Sequence, residues 1–391
     1  MAEMQRTEEL YYRDAHQTEF TARVLSCTED EKRKCYRVIL DRSAFFPEQG
    51  GQNSDRGILG GAKVLEVHIR DGIITHFVSA PLPEGEEIEG QVDWARRFEF
   101  MQQHSGEHML SGLVHARFGY DNVGFHLGET ETQLDFSGLI TQSELQELEE
   151  QVNAALWQNL PVRVYYPDAE ELQKLDYRSK LELTENVRLV EIPGVDLCAC
   201  CAPHVERTAE IGIVKIVDCI NYKGGVRIHI ACGIRALRDY AQKQTAVEAI
   251  SRCLSVKRGE VSEAVRDLRQ KLGETEAVCA GLGRQLLECR ANELPAAGES
   301  RHALLFTEQA DLGAMRNIVN ARAEQYAGVV AVFSGADTSG WSFVLGSGAV
   351  DCAELAKLLR TKGFKCGGTK SYLQGSAPLT EQEIRTLFHE L

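Results

Sequence analysis

The feature that most constrains this fold is a set of candidate metal ligands divided between two distant segments. Residues 101–112 read Met-Gln-Gln-His-Ser-Gly-Glu-His-Met-Leu-Ser-Gly and contain His104 and His108, four positions apart. On an α-helix, residues i and i+4 lie on the same face, so both imidazoles can reach one ion. Two ligands do not complete a site, and an isolated pair of this kind is more often a surface or core feature.

The second half of the set lies almost a hundred residues later, in residues 196–204. This segment contains Cys200 and His204, again four positions apart, together with Cys198 and Cys201. Three imidazoles and one thiolate suit tetrahedral zinc better than magnesium or calcium. Cys198 and Cys201 remain alternatives to Cys200, and both could instead be small buried hydrophobic residues. We therefore predict one Zn²⁺ site with the ligands His104, His108, Cys200 and His204.

Length and charge narrow the classes of protein that remain. At 391 residues the chain exceeds one ordinary core, so two or three domains are expected. It shows neither an apolar signal sequence nor an uncharged run that could span a bilayer, which predicts a cytoplasmic protein. Twelve scattered cysteines indicate reduced thiols and a metal site. With a formal charge of −15, a nucleic-acid-binding surface must concentrate its positive charge locally.

Periodicity along the chain predicts an α+β protein in four parts. Residues 1–94 alternate as short strands and predict a small β-barrel, and residues 95–240 predict a metal-binding α+β domain. Residues 241–298 repeat apolar side chains at spacings of four and three, which predicts a helical hairpin or coiled coil. Residues 299–391 alternate strand and helix, as in a small α/β domain.

Two glycine-containing loops and one basic stretch are candidate ligand-binding regions. In residues 43–57, Gly50 and Gly51 let backbone amides approach a ligand, and Gln52 offers a polar contact. The candidate phosphate contacts elsewhere are Lys223, Arg227, Gly367, Gly368 and Lys370. Each has a simpler explanation, because glycine loops are often only turns and a basic stretch is often only a solvated surface.

Together these motifs resemble the editing region of alanyl-tRNA synthetases and, most closely, the alanyl-tRNA editing proteins of the AlaX type. The resemblance depends on the histidine pair, on the Cys-x-x-x-His motif followed by Thr-Ala-Glu-Ile-Gly at residues 208–212, and on Phe-Phe-Pro-Glu-Gln-Gly-Gly-Gln at residues 45–52. The Cys-Gly-Gly at residues 366–368 and the Gln-Gly-Ser at residues 374–376 are similar to the DHH-associated domain that ends those synthetases.

The resemblance implies that the protein removes serine or glycine from mischarged alanine tRNA, with zinc in the editing pocket and the C-terminal domain gripping the tRNA. It implies that Gln52 and the Gly50-Gly51 loop border the aminoacyl group. Ser43 stands where the family commonly has Thr, on the loop that senses the serine hydroxyl. Gln52 and Ser43 are therefore the candidate catalytic residues. The chain begins with the barrel, so we expect editing without aminoacylation.

Other functions and assemblies remain open at this stage. The sequence His-Ser-Gly-Glu-His fits the H-x-x-E-H pattern of a class of zinc peptidases, with Glu107 as general base, although those sites use a carboxylate as third ligand. A tRNA-binding module that keeps zinc only as a structural ion is a second alternative. A homodimer through the heptad segment or the C-terminal domain is also compatible with the sequence.

Overall fold

The computed structural model describes residues 6–179 and 187–391. The chain divides into two compact units, residues 1–248 and residues 249–391. Several sheets and eight α-helices occur in the described residues, which confirms the predicted α+β class. The finer division at residues 94, 240 and 298 stays a prediction. None of the described helices is both long and apolar enough to cross a membrane.

The first unit begins with strands that enclose a hydrophobic core. Their bounds are β1 (Glu8–Glu9), β2 (Glu19–Asp30), β3 (Cys35–Leu40), β4 (Arg42–Ser43), β5 (Gly57–Leu59), β6 (Ala62–Arg70), β7 (Ile73–Val78) and β8 (Glu87–Val92). Six of them close into a barrel in the order β2-β3-β7-β6-β5-β8. Phe20, Ala22 and Val24 alternate inward along β2 because successive side chains of a strand point to opposite faces.

A long helix follows the barrel and carries the histidine pair. Helix α1 (Trp94–Phe118) begins at Asp93, whose side chain accepts a hydrogen bond from the amide of Arg96. It ends at Gly119, whose φ of 67° is the left-handed conformation that glycine adopts without strain. The stretch from Phe100 to Ser111 is buried throughout, so α1 is a central helix of this unit.

The rest of the first unit packs around α1. Its elements are β9 (Asn122–Leu127), β10 (Thr132–Phe136), α2 (Gln142–Leu156), β11 (Arg163–Tyr165), α3 (Ala169–Leu172), β12 (Leu189–Ile192), β13 (Asp196–Ala199), β14 (Val214–Tyr222), β15 (Gly225–Cys232) and α4 (Gly233–Leu254). One sheet has the order β14-β15-β10-β9 and a second has the order β11-β12-β13. Both sheets contribute side chains to one apolar cluster with α1 and α2.

The second unit contains a long helix and a five-stranded sheet. Its elements are α5 (Val261–Asn292), β16 (Ala303–Thr307), α6 (Leu312–Arg322), β17 (Val330–Ala336), β18 (Gly340–Gly346), α7 (Cys352–Thr361), β19 (Lys365–Gly368), β20 (Tyr372–Ala377) and α8 (Glu381–His389). The sheet order is β16-β17-β18-β20-β19, with β16 and β17 parallel and the other pairs antiparallel. Two separate apolar clusters include side chains from this sheet.

The predicted heptad segment forms α5, a continuous helix of 32 residues. Its apolar positions are largely exposed, by 55% at Leu268, 57% at Leu272 and 60% at Leu282. Only Leu287 and Ala291, near the end of the helix, are buried. The helix itself was correctly predicted, whereas a coiled-coil partner for its exposed positions stays a prediction.

Candidate metal centre

Four side chains from the two predicted segments meet in one buried cluster. Their ligand-type atoms, one from each of His104, His108, Cys200 and His204, all lie within 4.8 Å of one another. The three histidines are 2–4% exposed. The Cys200 Sγ is 3.4 Å from the Nε2 of His104 and 3.3 Å from the Nε2 of His204. This cluster could hold a metal ion.

Close packing of α1 against its neighbours brings the two halves of the cluster together. A Cβ at Gly112 would lie 2.3 Å from the carbonyl oxygen of Val195, so only glycine lets the β12–β13 turn approach the helix. A Cβ at Gly106 would lie 2.3 Å from the Sγ of Cys232 on β15. These two contacts hold α1 between the β12–β13 turn and β15, and so place His108 beside the cysteine segment.

Each histidine of the cluster is oriented by a partner on its Nδ1 atom. The Nδ1 of His104 is 2.8 Å from the Oε1 of Gln52, and that of His108 is 2.8 Å from the Oδ2 of Asp196. The Nδ1 of His204 is 3.0 Å from the hydroxyl of Ser105. Metal-binding histidines in proteins usually have such a partner, which fixes the ring and its tautomer. The arrangement leaves all three Nε2 atoms facing the thiol.

Asp196 is itself held by a second charged group. The guanidinium of Arg178 donates to Oδ1 at 2.7 Å and to Oδ2 at 2.9 Å. Burial alone would raise the pKa of Asp196, but its hydrogen bonds with His108 and Arg178 outweigh burial and lower that pKa. The carboxylate therefore stays ionised and can orient His108.

The three cysteines of this segment differ in their electrostatic surroundings. Burial opposes ionisation of Cys200, yet His104 and His204 lower the pKa of its thiol well below the ordinary value of 9.0. Burial raises the pKa of Cys198 to about 11 and that of Cys201 to about 12. A metal-binding cysteine is a thiolate. The environment of Cys200 favours that form, and those of its neighbours do not.

Two donor–donor distances in the cluster are close to those of a tetrahedral zinc site. With Zn–N bonds near 2.05 Å and a Zn–S bond near 2.3 Å, tetrahedral angles place sulfur about 3.6 Å from each nitrogen. The two S–N distances of 3.4 and 3.3 Å are close to this value. Burial lowers the pKa of His204 to about 3, so this ring is neutral and able to bind a metal.

The cluster lies at the wall of a cavity of about 670 Å³. The cavity is lined by residues of α1, β9, the β12–β13 region and the glycine-rich loop, among them Gly50, Glu107, Phe125, Tyr166, Arg188 and Cys200. A volume of this size accommodates a small organic group such as an aminoacyl-nucleoside. The arrangement therefore combines a buried nitrogen and sulfur cluster with space for a ligand.

The glycine-rich loop reaches the cluster through Gln52, whereas Ser43 lies inside the barrel. Gly51 has a φ of 79°, and a Cβ there would lie 2.5 Å from the carbonyl oxygen of Phe125. The adjacent Gln52 contacts His104, and among the described residues its buried Nε2 atom has no hydrogen-bond partner. The Oγ of Ser43 is 2.7 Å from the Nε2 of His76 and accepts from the amide of Phe45. Of these two candidates, only Gln52 contacts the metal cluster directly.

The five candidate phosphate contacts are divided between the two units. Lys223 occupies the exposed tip of the β14–β15 hairpin with a φ of 47°. Arg227 is held by Asp135 through bonds of 2.7 and 2.8 Å, so its charge is largely compensated. Three further candidates are exposed residues at or just after the edge strand β19 of the second unit, namely Gly367, Gly368 and Lys370.

The sequence patterns did not identify the partners of the histidine rings. Asp196 and Ser105 both lie inside the quoted motifs, but nothing in their spacing indicated a hydrogen bond to a ligand. Arg178 lies 18 residues before Asp196 and carried no signal at all. Ser105 directly follows the predicted ligand His104. That position next to a ligand is the one clue that could have identified it as a hydrogen-bond partner in the cluster.

Comparison with known proteins connects these motifs to a family. Residues 1–96 match the family model described as tRNA synthetases class II (A). Residues 187–229, which contain Cys200 and His204, match the Threonyl and Alanyl tRNA synthetase second additional domain. Both matches are to domains of aminoacyl-tRNA synthetases.

Individual relatives extend the similarity over nearly the whole chain. The alanine–tRNA ligase of Pyrobaculum neutrophilum is 32% identical over 400 residues, which cover 96% of this chain and 43% of the ligase. That of Halorubrum lacusprofundi is 32% identical over 360 residues, covering 87% and 38%. The alanyl-tRNA editing protein Aarsd1 of Danio rerio is 32% identical over 251 residues, covering 60% and 61%. The chain thus spans less than half the length of these ligases and about three fifths of the editing protein.

Proposed function

The chain is a relative of the alanyl-tRNA synthetases and their editing proteins, and on that basis we propose that it hydrolyses mischarged alanine tRNA. The substrate is alanine tRNA esterified with serine or glycine, and the reaction cleaves the ester between the amino acid and the terminal ribose. One observation carries the proposal. A buried cluster of three imidazoles and one thiol borders a cavity of about 670 Å³ in a chain similar to an alanyl-tRNA editing protein.

Zinc is the proposed occupant of the cluster, because the donor types and the S–N distances fit a tetrahedral site. When bound, zinc supplies positive charge next to the reacting ester and holds its four ligands together. The proposed ligands are His104, His108, Cys200 and His204. The side chains of Gln52, Asp196 and Ser105 keep three of them in position.

Selection of serine over alanine requires a polar group that alanine would leave unpaired. A pocket cannot reject alanine by size, because alanine is smaller than serine. The buried Nε2 of Gln52 can donate to the serine hydroxyl, and a cognate alanine would leave this donor unsatisfied at a cost of about 1–3 kcal/mol. The proposed role of Ser43 is to position the glycine-rich loop. Its hydrogen bond with His76 anchors the end of β4, from which that loop begins. Gln52 and Ser43 thus have different proposed roles.

Transfer RNA is the proposed partner, bound by basic groups outside the cavity. Arg227 is compensated by Asp135, whereas Lys223 at its hairpin tip has no carboxylate partner among residues 6–179 and 187–391. Gly50 and Gly51 border the aminoacyl group, and the exposed residues of the second unit add contacts to the tRNA body. A homodimer that covers the exposed apolar positions of α5 is part of the same proposal.

Deacylation assays with purified alanine tRNA charged with serine, glycine or alanine test the function. We expect the wild-type protein to clear serine- or glycine-tRNA and to spare alanine-tRNA. His104→Ala should lose both zinc and activity. His68→Ala, which changes a histidine on the barrel surface, is the matched control and should keep both. Stoichiometric zinc without cleavage of any of the three esters would refute the hydrolase and favour a zinc-containing tRNA-binding protein.

A peptidase is the less favoured alternative. The H-x-x-E-H pattern requires a carboxylate as third ligand, whereas Cys200 and His204 here lie beside the histidine pair. Loss of zinc from Cys200→Ala would disfavour the peptidase, and cleavage of unstructured peptides by the wild type would favour it.

A further inference from the structure

Arg188 is a buried cation in the wall of the cavity that none of the proposed roles uses. It directly precedes β12, is 9% exposed and lines the cavity. An arginine side chain stays charged under all conditions in which a protein is folded. Burying such a charge is costly unless a partner compensates it. The partners of Arg188 therefore decide whether its charge is compensated within the protein.

Protein oxygens occupy only one end of this guanidinium. Its Nη1 donates to the carbonyl oxygens of Cys200 and Ala202 at 2.8 and 2.9 Å. The buried Nε has no hydrogen-bond partner in the part of the chain that the structure describes, and Nη2 donates to no group there. Nε and Nη2 form one edge of the planar group, and such an edge binds a carboxylate or phosphate through two parallel hydrogen bonds. In Arg188 that edge is open.

The charge of Arg188 is also not neutralised by a carboxylate. No carboxylate oxygen of the described residues lies within 4.0 Å of its nitrogens. Glu9 lines the same cavity, but its carboxylate accepts from the hydroxyl of Tyr11 at 2.6 Å. Arg178, a second guanidinium in the cavity wall, is paired with Asp196 at 2.7 and 2.9 Å. Of these two guanidinium groups, Arg188 is the one whose charge is available to a ligand.

The position of Arg188 beside the metal cluster is fixed by its neighbours. The amide of Cys200 donates to the carbonyl oxygen of Arg188 at 3.1 Å, in addition to the bond from Nη1 to the Cys200 carbonyl. The guanidinium carbon lies 5.0 Å from the centroid of the Tyr12 ring, a distance at which a cation and an aromatic ring attract each other. An anion bound at the open edge therefore shares the cavity with the cluster, on its Cys200 side.

We propose that Arg188 binds the phosphate that joins the terminal adenosine of the tRNA to the preceding nucleotide, an inference that rests on the proposed function. At the aminoacyl end of a tRNA the carboxyl group of the amino acid is esterified and its amino group is a cation, so the anions there are phosphates. The phosphate of the terminal nucleotide is the one nearest the ester. Its contact with Arg188 holds the ester at the cluster. Arg188 is thus a positioning residue and takes no part in bond cleavage.

Two analogues of the terminal nucleotide isolate this contact from the rest of the site. Both carry serine amide-linked to 3′-amino-3′-deoxyadenosine, and the amide replaces the ester that the protein would cleave. One has a 5′-hydroxyl, and the other has a 5′-(methyl phosphate) with the single negative charge of the tRNA diester. From the strength of hydrogen bonds to charged groups, we expect the phosphate to lower the Kd of the zinc-loaded wild type by about 10–150-fold in isothermal titration calorimetry.

Substitutions of Arg188 should remove this gain selectively. In Arg188→Met the two analogues should bind within about 3-fold of each other, because the fork and its charge are gone. The Kd of the 5′-hydroxyl analogue should stay that of the wild type. Arg188→Lys keeps the charge without the fork and should retain part of the gain. Arg163→Met removes a cation that is 60% exposed on β11, and this control should match the wild type.

Loss of the Nη1 bonds could disturb the segment that carries Cys200, so zinc content and thermal midpoint are measured on each variant. The comparison of the two analogues on the wild type needs no substitution. It tests the contact even if Arg188→Met does not fold.

Three results would overturn the inference. The first is equal affinity of the wild type for the two analogues. The second is a phosphate gain that persists in a folded, zinc-loaded Arg188→Met. The third is competition by inorganic phosphate alone as tight as that by the phosphorylated analogue, which would assign Arg188 to a free anion.

Failure of the proposed function gives a different pattern. A wild type that binds the phosphorylated analogue more tightly but cleaves none of the three esters would refute the hydrolase and support the contact with Arg188. A wild type that binds neither analogue would refute both the contact and the proposed aminoacyl site.

Discussion

The buried ion pair between Arg97 and Asp55 connects the barrel to the helix that carries the histidines. Arg97 lies on α1 and is 0% exposed, and Asp55 lies after the glycine-rich loop and is 1% exposed. The guanidinium also donates to the carbonyl oxygens of Ala15 and Ala44 at 2.8 and 2.6 Å. The carboxylate additionally accepts from the amide of Phe46 at 2.6 Å. One pair therefore holds together two loops of the first unit and α1.

Asp55→Asn should destabilise the first unit severely. The substitution keeps the shape of the side chain but removes the negative charge, which leaves the buried Arg97 guanidinium with only neutral oxygen partners. Breaking a buried pair in this way costs about 3–5 kcal/mol. A protein domain is stable by only about 5–15 kcal/mol, so this loss is a large part of the total. Arg97→Met should cost a similar amount, because it leaves the carboxylate uncompensated.

Urea unfolding of a Trp341→Phe background measures this effect in the first unit. The three tryptophans of the chain are Trp94, Trp157 and Trp341, and only the last lies in the second unit. The remaining fluorescence therefore reports residues 1–248. All variants should be saturated with zinc, so that metal binding shifts each transition alike.

A double-mutant cycle separates the ion pair from other effects of the two substitutions. The variant carrying both Asp55→Asn and Arg97→Met lacks both charges, so its loss should be smaller than the sum of the single losses by more than about 1 kcal/mol. A loss below about 1 kcal/mol for Asp55→Asn, or strictly additive losses, would refute the reasoning.

Further predictions concern metal affinity, acid stability and tRNA binding. Asp196→Asn should weaken zinc affinity by about 10–100-fold in a chelator competition, because it removes the charge that orients His108, and unchanged affinity would contradict that role. Burial lowers the pKa of His76 to about 4 from 6.5. Below pH 6.5 the unfolded chain gains a proton at this residue and the folded chain does not, so the free energy of unfolding falls by about 3 kcal/mol between pH 6.5 and 4. Above pH 6.5 this residue costs no stability. His76→Asn should flatten this loss relative to the wild type in urea unfolding at each pH, and a parallel pH profile would exclude it. Lys223→Glu should weaken tRNA binding and reduce its salt dependence more than Arg227→Gln does, whereas equal effects would show that Asp135 does not compensate Arg227.

The metal cluster could be anticipated from the sequence because its spacing is local within each half. His104 and His108 face the same way on any helix, and Cys200 and His204 repeat that separation. Spacing to His204 favoured Cys200 among the three cysteines but left Cys198 and Cys201 as alternatives. Cys198 shares a face of β13 with Asp196, since strand residues two apart point the same way, and only the folded chain shows that Cys200 faces the histidines.

Other expectations depended on contacts between distant residues, which no local pattern encodes. Ser43 was predicted as a catalytic candidate, and its role stays a prediction; its hydroxyl is 2.7 Å from His76, 33 residues away on β7. Arg227 was predicted as a phosphate contact, and strand register places it opposite Asp135, 92 residues earlier. For Arg227 the partner is set by strand pairing, and for Ser43 by packing between strands that are not paired with each other.

The division of the cluster between two segments also sets the order in which it can assemble on the ribosome. Cys200 follows His104 by 96 residues. At about 5–20 residues per second, roughly 5–20 s of synthesis separate the two halves. During that interval the helix with its histidines is already made, whereas the thiol that completes the set does not yet exist. The contacts available to the helix then are those with earlier residues, the bond from His104 to Gln52 and the pair formed by Arg97 and Asp55. These contacts with earlier residues hold the helix that carries His104 and His108 while the segment with Cys200 and His204 is still being synthesised.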